Sequence, residues 1–422
     1  MVGSLKSGML NWSKQFSILC FLDSNNYPSA YTGYECLLAA GVHKALTATD
    51  SRTDMLAVLQ QEHDACPDWL FGHISYDYKN VLEPRLTSAH PSGIDFTPFH
   101  FFVPVTVCYI SRDHTRLTIE SFEDTDTIYQ AICAQQIMAW QQPLPHLHFS
   151  KRVEKDTYLD SIAALRAHIA AGDCYEVNYC TEGYSSQVAI DPLQVFTSLN
   201  ALSPAPFAAY YRINDKFMMC ASPERYIHRA GSRIMSQPIK GTARRGSDAA
   251  ADELIKEQLR NDIKERAENV MIVDLVRNDL ARCCDTGSVV VDELFGIYTF
   301  PQVHQMISTV SGTMRPGAKL TDAIRHSFPM GSMTGAPKYK VMELIERYER
   351  SRRDLFSGTI GYITPSGDFD FNVIIRSLFY NAANQYLSYQ TGGAITYDSD
   401  PVKEWEEMRL KAWALERLFK EV

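Results

Sequence analysis

The stretch FMMCASPERYIHRAGSRIMSQPIKGT, residues 217–242, predicts a β-hairpin that carries a lone lysine at its end. Two β-rich runs flank Ala230-Gly231, which is a typical turn between antiparallel strands. A hairpin folded about this turn places Glu224 opposite residues 237–239. Lys240 follows one to three residues later, which is about 3–10 Å of strand rise. We therefore expect Glu224 and Lys240 to emerge at the same end of one hairpin.

The spacing alone leaves two interpretations of this pair open. An exposed ion pair across the hairpin would contribute less than about 1 kcal/mol and would carry no chemistry. Alternatively, a buried lysine beside a carboxylate is a common route to a tuned nucleophile and acid. Pro223 and Gly241-Thr242 shape the backbone on both sides of the pair. Such residues are typical of a turn that faces a ligand, which favours the second interpretation.

The composition of the whole chain is that of an ordinary globular protein. Hydrophobic residues make up 45% and charged residues 22% of the 422 residues. The net charge of −9, from 41 basic and 50 acidic residues, argues against a sequence-independent nucleic-acid binder. No apolar run is long enough for a signal peptide or for a membrane helix. The ten scattered cysteines include no C-x-x-C, so we expect reduced thiols and a cytoplasmic protein.

The pattern along the chain predicts an α+β fold. Residues 1–150 are rich in strand-like segments, and a helix follows with Thr157 as its N-cap and Gly172 at its end. Beyond it, antiparallel strands outnumber β-α-β units, which favours large antiparallel sheets covered by helices. We divide the chain into an N-terminal region, 1–150, and a second region, 151–422, and expect them to form one intertwined fold.

Two long segments of the second region are each predicted as regular structure. Residues 248–283 have the pattern of a long helical stretch, and residues 369–381 have the pattern of a strand. Arg376 follows the apolar run VII in this strand, where an unpaired charge would be costly. We therefore expect Arg376 to meet an anion.

SPER (222–225) followed by QPIKGT (237–242) resembles the chorismate-utilising enzymes, which include anthranilate, aminodeoxychorismate, isochorismate and salicylate synthases. The resemblance covers about residues 150–422, and it implies antiparallel sheets packed as a sandwich with helices on the outer faces. Further matching blocks follow in the family's order: KERAENVMIVDLVRNDL (264–280), FPQVHQMISTVSG (300–312), FPMGSMTGAPK (328–338), GTIGYI (358–363), FNVIIRSL (371–378), TGGAITYDSDP (391–401) and EWEEMRLKA (404–412).

Within this family the chain most resembles the aminodeoxychorismate synthase component I branch. Anthranilate synthases usually have alanine where this chain has Lys240. GDCYEVNYC (172–180) resembles the same branch, although Glu176 replaces the more usual glutamine. In isochorismate and salicylate synthases a water-activating lysine aligns with Glu176, so the resemblance argues against water as the nucleophile. It implies Mg²⁺-dependent amination of chorismate at C4 to 4-amino-4-deoxychorismate, for para-aminobenzoate and folate biosynthesis.

The chemistry implied by the resemblance needs an acid and a nucleophile. Glu224 would protonate the departing C4 hydroxyl as the general acid. Lys240 would add to C2 as that hydroxyl leaves, and ammonia would then add at C4 and expel the lysine. The alternative is that Lys240 only orders the site or acts as a base. His304 matches a family histidine near the leaving hydroxyl, although a lone strand histidine is more often structural.

The resemblance also assigns metal and substrate contacts. Mg²⁺, which prefers a few carboxylate oxygens plus water, would bind the ring carboxylate of the substrate. The matching metal ligands are Glu268 and Glu407, with Glu404 as a further or water-mediated ligand. The residues that match the substrate pocket are Thr242, Tyr362, Arg376, Gly392, Gly393 and Lys411. GSMTGAPK, residues 331–338, resembles a loop that closes over the site, although Ser332 and Lys338 could instead be structural.

The nitrogen source is not encoded in this chain. A glutaminase needs a cysteine with glycine on both sides and a histidine-glutamate pair with H-x-E spacing, and neither pattern occurs here. We therefore expect free ammonia, or a separate glutamine amidotransferase subunit as its source. Two alternatives stay open: anthranilate synthase component I, and a non-catalytic chorismate-binding subunit. The second is disfavoured because Glu224, Lys240, Glu268 and Glu407 are all present.

The N-terminal region is the candidate for an effector site. In anthranilate synthases, segments that resemble FLDSN (21–25) and NALSPAPF (200–207) together form a tryptophan site. Here Asp23-Ser24 and residues 204–207 would form it. Two packed segments without a ligand are an equally good interpretation.

Overall fold

Two large β-sheets run through the chain in the computed structural model, which describes residues 2–28, 31, 33–48, 52–136, 140 and 142–420. The strands of these residues are β1 (Ile18–Asp23), β2 (Tyr34–Ala40), β3 (Lys44–Thr47), β4 (Leu70–Ile74), β5 (Phe99–Val103), β6 (Thr106–Ser111), β7 (Leu117–Ser121), β8 (Ser150–Lys151), β9 (Glu176–Ser185), β10 (Phe207–Ile213), β11 (Lys216–Ser222), β12 (Arg225–Ala230), β13 (Arg233–Gln237), β14 (Ile239–Arg244), β15 (Val290–Thr299), β16 (Val303–Thr313), β17 (Gly335–Ala336), β18 (Thr359–Ile363), β19 (Phe369–Asn372), β20 (Ser377–Asn381) and β21 (Tyr386–Ile395). The α-helices are α1 (Val2–Ser13), α2 (Met55–Ala65), α3 (Lys79–Leu82), α4 (Thr125–Cys133), α5 (Lys155–Ala170), α6 (Pro192–Leu202), α7 (Ala249–Asn261), α8 (Ile263–Ala281), α9 (Leu320–Ser327), α10 (Lys338–Tyr348) and α11 (Pro401–Glu416).

Strands from both regions of the chain interleave in each sheet. The first sheet has the order β17-β9-β21-β20-β11-β10-β1-β2-β6-β7, with β8 beside β9. The second has the order β14-β16-β13-β12-β19-β18-β4-β5-β3, with β15 beside β16. β1 pairs antiparallel with β10, and β4 pairs antiparallel with β18, so the N-terminal strands complete both sheets. The predicted α+β class with large antiparallel sheets is therefore confirmed.

The alternation of side chains along the strands places apolar residues on both faces of the first sheet. On β1, Cys20 belongs to the largest apolar cluster, which also holds second-sheet residues such as Phe71. Its neighbours Leu19 and Phe21 belong to a second cluster with residues of α1, α4 and α6. The two sheets thus share a core, and helices cover the far face of the first sheet. No helix among the described residues is long and apolar enough to span a bilayer.

The hairpin predicted from residues 217–242 forms in the second sheet. Ala230 lies opposite Arg233 and Arg229 opposite Ile234, with the turn at Gly231. Gly231 has φ +59°, a conformation that favours glycine. The hairpin register is therefore the predicted one, which puts Glu224 just beyond the Arg225–Gln237 pair.

The start of helix α5 differs from the prediction. The helix begins at Lys155 with Glu154 in the N-cap position, so Thr157 lies inside the first turn and is not the cap. Val153 and Tyr158 are both buried in one apolar cluster. They occupy the positions of a hydrophobic staple, which fixes the entry of the chain before Thr157 is reached.

Two predicted segments are each divided by the fold. The helical stretch 248–283 breaks at Asp262, whose carboxylate accepts the Glu265 N–H and caps α8. The strand predicted over 369–381 becomes β19 in the second sheet and β20 in the first. Arg376 lies at this crossing and has φ +54°. The crossing sets Arg376 between the sheets, which a continuous strand would not have done.

A buried arginine ties the first sheet to the loop 331–334. The Arg353 guanidinium is 2% exposed and contacts the Glu349 carboxylate at 2.7 Å. It also donates to the carbonyl oxygens of Met333 and Asn178, at 2.6 and 2.7 Å. Glu349 in turn accepts the Cys180 N–H at 2.9 Å. Arg353 therefore holds the loop against β9.

We expect Arg353→Met to lower the free energy of unfolding by roughly 3–5 kcal/mol, because Glu349 would keep a buried charge without its partner. Urea unfolding followed by circular dichroism measures this loss. Arg350→Met, at an exposed arginine three residues away, should change the stability by less than about 0.5 kcal/mol. Equal midpoints for the two variants would contradict the proposed role of Arg353.

Candidate functional site

Glu224 lies in a buried position between β11 and β12. Its carbonyl oxygen accepts the Val373 N–H at 3.0 Å, which anchors the backbone where the chain enters the hairpin. Burial raises the pKa of this carboxyl to about 7, although hydrogen bonds from Ser332 and Ile239 and the nearby Lys240 oppose the shift. A carboxyl with this pKa is partly protonated near neutral pH, so Glu224 can donate a proton there.

Lys240 forms its ion pair with Glu176, and not with Glu224, the partner in one of the two interpretations of the hairpin. The Lys240 Nζ lies 2.6 Å from Glu176 Oε1, and both side chains are buried. The reason is tertiary: β14 leaves the hairpin after Pro238 and pairs with β16, while β9 brings Glu176 from the first sheet. Glu224 remains close enough to act on the charge of Lys240.

The charge state of Lys240 follows from its surroundings. Burial lowers the pKa of the amine, but the carboxylates of Glu176, Glu268 and Glu224 outweigh this effect, so the net shift is upward. The free protein therefore holds Lys240 as an ammonium ion. A nucleophilic role requires that this proton first be removed.

Glu268 lies on α8, on the helix face that looks toward Lys240. Burial is the main cause that raises its pKa to about 7, and Glu176 adds to the shift while Lys240 and Lys264 oppose it. Glu268 Oε1 is buried without a hydrogen-bond partner among the described residues. The nearest cation is Lys264, one helical turn earlier, at 3.6 Å. Lys264 is not among the predicted site residues, although its i,i+4 spacing to Glu268 would have indicated it.

Helix α11 brings two further acids toward the same place. Glu404 is buried and accepts the Ser399 hydroxyl at 2.8 Å. Glu407 is more exposed and pairs with Lys411 at 2.8 Å, which lowers the pKa of Glu407. Lys411 also donates to the Gly392 carbonyl oxygen at 2.9 Å, so it links α11 to β21.

Gly393 keeps an open space in front of these acids. A Cβ added there would lie 3.3 Å from Glu404 Oε2 and 3.8 Å from Glu407 Oε1. Within the described ranges, no three acidic, histidine or cysteine side chains form a complete metal site by themselves. Mg²⁺ commonly binds one or two carboxylates and takes its other ligands from water and substrate. The orphaned Glu268 oxygen and the space beside Glu404 and Glu407 fit such an incomplete, open set.

Arg376 faces a small cavity whose lining also includes Pro223, Ala205 and Gln305. In the part of the chain that the structure describes, no carboxylate forms an ion pair with this guanidinium. Burial lowers its pKa, and Glu407 is the charge that opposes the shift. A cation with no fixed partner at a cavity wall suits an anionic ligand.

Three predicted site residues lie outside this group of acids. His304 on β16 is buried, and its ring nitrogens contact Asp252 at 2.8 Å and Thr299 at 3.0 Å. Thr242 is exposed on β14. Tyr362 on β18 lines a different cavity, next to Asp23 and Phe207. None of these three side chains forms a hydrogen bond or ion pair with Lys240 among the described residues, and their predicted roles stay predictions.

The second cavity is the one in which the effector site was expected. Its lining includes Asp23, Ser24, Glu35, Pro206 and Phe207. The two segments predicted to meet therefore do meet. Lys6 bridges the two acids, at 2.6 Å from Asp23 and 2.5 Å from Glu35. Whether the cavity binds tryptophan stays a prediction.

The loop 331–338 closes one side of the site. Ser332 hydrogen-bonds Glu224, and Gly335 pairs with Val177 of β9. Gly335 has φ +137°, and a Cβ there would lie 2.0 Å from the Glu176 carbonyl oxygen, so only glycine permits this approach. Lys338 instead contacts Asp279 at 2.8 Å, outside the group around Lys240.

We expect metal-free Glu268→Gln to be more stable than the unsubstituted protein at pH 8. Because folding raises the Glu268 pKa from 4.5 to about 7, its ionised form opposes folding increasingly between these pH values and fully above them. The gain should be roughly 1–3 kcal/mol at pH 8 and should vanish as the pH falls toward 4.5.

Thermal unfolding with and without Mg²⁺ then tests the metal assignment. Mg²⁺ should stabilise the unsubstituted protein and should stabilise Glu268→Gln much less. Glu265→Gln, on the same helix but outside the predicted ligand set, is the matched control and should keep the full response. An equal Mg²⁺ response in all three proteins would show that Glu268 is not a ligand.

Comparison with known proteins relates this geometry to enzymes. Aminodeoxychorismate synthase from Streptomyces griseus is 42% identical over 63% of this chain, and the match covers 37% of that protein. Aminodeoxychorismate synthase component 1 from Salmonella typhimurium is 35% identical over 70% of this chain and 65% of its own length. The Bacillus subtilis protein of the same name is 35% identical over 82% of this chain and 76% of its own length. The chain thus spans little more than a third of the first relative and a larger share of the others.

Solved structures share the fold. Anthranilate synthase component I from Streptococcus pneumoniae superposes with a TM-score of 0.80 at 23% identity, covering 93% of this chain and 94% of its own. The menaquinone-specific isochorismate synthase from Escherichia coli superposes with a TM-score of 0.78 at 17% identity, covering 98% of this chain and 91% of its own. The family model described as chorismate binding enzyme matches residues 20–417. Because that match includes both sheets and all the acids around Lys240, the chain belongs to the chorismate binding enzyme family.

Proposed function

We propose that this protein aminates chorismate at C4, which yields 4-amino-4-deoxychorismate, the precursor of para-aminobenzoate in folate biosynthesis. The observation that carries the proposal is the buried Lys240, 2.6 Å from Glu176 and close to Glu224. A pocket that only bound a dianionic substrate would not need an amine held among carboxylates. Relatives named aminodeoxychorismate synthase support the same activity.

Glu224 supplies the acid. Hydroxide is a poor leaving group, so the C4 hydroxyl must be protonated as the C4–O bond breaks. The pKa of about 7 leaves Glu224 partly protonated at neutral pH, which an exposed glutamate would not be. Ser332 holds the carboxyl in place through its hydrogen bond.

Lys240 supplies the nucleophile. Direct attack of ammonia on the diene would put nitrogen at C2, so delivery to C4 needs a second step. The neutral amine adds at C2 while the C4–O bond breaks, and ammonia then adds at C4 while the C2–N bond breaks. Nucleophilic catalysis thus divides one difficult displacement into two easier ones.

The charges around the pocket fit a substrate with two carboxylates. Glu268 and Glu407, with Glu404, would hold Mg²⁺, which would neutralise and orient the ring carboxylate. Arg376 forms no ion pair with a carboxylate of the described residues and lies at the wall of a cavity that Pro223 also lines, so its guanidinium suits bidentate contact with the other carboxylate. Lys411 and the backbone at Gly392 and Gly393 form the neighbouring wall.

Ammonia would come from solution or from a separate glutamine amidotransferase subunit. The chain's own cysteines offer no glutaminase motif, so the partner would carry that activity. The second candidate function is anthranilate synthase component I, favoured by the shared fold. The lysine at position 240 favours C4 amination over it, because an alanine there would leave ammonia to attack C2 directly.

Product analysis with chorismate, Mg²⁺ and ammonium tests the proposal. The unsubstituted protein should yield the 4-amino product, whereas Lys240→Ala should lose at least about a hundredfold in rate. Its residual product should shift toward the 2-amino compound, because Glu224 can still protonate the hydroxyl. Lys403→Ala, at an exposed lysine of α11, is the control and should behave as the unsubstituted protein.

Mass spectrometry gives a second measurement of the same step. With ammonia withheld, an adduct of the substrate ring should map to the peptide that contains Lys240. A near-normal rate of 4-amino product from Lys240→Ala would exclude the covalent route. The 2-amino compound as the main product of the unsubstituted protein would instead favour anthranilate synthase.

The role of Glu224 predicts a pH dependence of adduct formation. Because only protonated Glu224 can act as the acid, the rate should fall about tenfold per pH unit above its pKa of about 7. Rapid-quench mass spectrometry measures the rate of adduct formation at each pH. Because ammonia is left out, its own titration does not affect the result. Glu224→Gln should form the adduct much more slowly, and its rate should not fall above pH 7. If the rate of that variant fell with pH as in the unsubstituted protein, another group would be responsible for the pH dependence.

A further inference from the structure

The covalent step leaves one proton without a destination. Lys240 is an ammonium ion in the free protein, since the surrounding carboxylates raise its pKa. An ammonium nitrogen has no lone pair, so it cannot add to the ring until a base removes a proton. The identity of that base can be inferred from the groups around Lys240, and the inference rests on the proposed function.

The acids that face Lys240 come from four places. Glu176 lies on β9, Glu224 precedes β12, Glu268 and Glu265 lie on α8, and Glu407 lies on α11. Glu224 must keep its proton for the leaving hydroxyl. Glu407 is paired with Lys411 at 2.8 Å. Glu268, whose Oε1 accepts no hydrogen bond from the described residues and lies 3.6 Å from Lys264, is the carboxylate assigned to the metal.

Glu176 is the acid in direct contact. Its Oε1 lies 2.6 Å from Lys240 Nζ, and the pair is buried, with Glu176 1% exposed. Its other oxygen, Oε2, is buried and has no hydrogen-bond partner among the described residues, so the hydrogen bond from Lys240 is the side-chain contact that this carboxylate makes there. A proton can pass along an existing hydrogen bond of this length without any rearrangement.

We propose that Glu176 is the proton acceptor of Lys240, taking one proton from the ammonium as the amine adds to C2 of the ring and returning it when the lysine is released. Glutamine, the more usual residue in the matching motif, could hold the amine but could not accept its proton. The glutamate therefore gives this chain its own internal route for the proton.

The protons balance over one turnover. In the first half, Glu176 takes a proton from Lys240, the C2–N bond forms, the C4–O bond breaks, and Glu224 gives its proton to form water. In the second half, ammonia forms the C4–N bond and the C2–N bond breaks. The released amine recovers its proton from Glu176, and the new C4 ammonium returns one to Glu224. Both acids end as they began, and the net change is ammonia consumed and water released.

The fold holds Glu176 in place independently of the substrate. β17 pairs with β9 at Ala336 and Glu176, and Gly335 permits the close approach. The same short loop carries Ser332, which contacts Glu224. One loop therefore positions both the proton acceptor and the acid.

The test compares adduct formation at Lys240 in the unsubstituted protein, Glu176→Gln and Glu176→Asp, with chorismate and Mg²⁺ but no ammonia. At pH 7 Glu176→Gln should be about a hundredfold slower, because the acceptor is gone. The ratio of the Glu176→Gln rate to the unsubstituted rate should rise about tenfold per pH unit, because hydroxide from solution can take the proton that Glu176 would have accepted. The fall in rate caused by ionisation of Glu224 occurs in both proteins, so it cancels in the ratio of their rates. Glu176→Asp should recover part of the rate at pH 7.

A second readout does not need the substrate. The rate at which a small amine-directed reagent modifies Lys240 should reach half its maximum at lower pH in Glu176→Gln, because the ammonium loses its nearest carboxylate. Glu182→Gln removes another buried carboxylate of β9, one that pairs with Arg152 and not with Lys240. This control should leave both readouts unchanged and reports on general effects on the strand.

The outcomes separate this inference from the proposed function. A rate ratio that is near one at pH 7, or that is low and independent of pH, overturns the role of Glu176. An adduct absent from the unsubstituted protein overturns the covalent route itself. A pH-dependent ratio with partial recovery in Glu176→Asp establishes Glu176 as the acceptor.

Discussion

Three glutamates are buried around a single ammonium ion, that of Lys240. Lys240 faces Glu176, Glu224 and Glu268, and burial raises the pKa of Glu224 and of Glu268. One cation cannot compensate three buried negative charges. Glu176 takes the direct contact, so Glu224 and Glu268 are left with pKa values of about 7. The availability of an acid at Glu224 and of an open carboxylate at Glu268 both follow from this imbalance.

The imbalance can exist only because the rest of the fold imposes it. Acids brought together without support would move apart or draw in water. Here Glu176 is fixed by β9 in the first sheet, Glu224 by the hairpin of the second, and Glu268 by α8. Arg353 ties the first sheet to the loop that carries Ser332. The stability of these elements maintains an arrangement of charges that is itself unfavourable, as expected for a site that does chemistry.

Local patterns predicted much of the fold. The hairpin register around Gly231 followed from its turn residues, and the α+β class followed from the order of strands and helices. The errors lie where tertiary contacts outweigh local signals. Val153 and Tyr158, not Thr157, set the start of α5, because burying two apolar side chains outweighs a single cap. The predicted strand over 369–381 divides because its first half pairs in the second sheet and its second half in the first sheet. Sequence periodicity does not predict which sheet a strand joins.

The sequence by itself determined the residues of the site and their chemical types. Lys240, Glu224, Glu268 and Glu407 lie in motifs whose order in the chain identifies the family. Only the tertiary structure decided that Lys240 pairs with Glu176, a residue 64 positions earlier on another sheet. Hairpin geometry pointed to Glu224 because local spacing constrains neighbours along one sheet. The contact between Lys240 and Glu176 depends on how the two sheets pack, and no short-range pattern in the chain predicts the distance between these two residues.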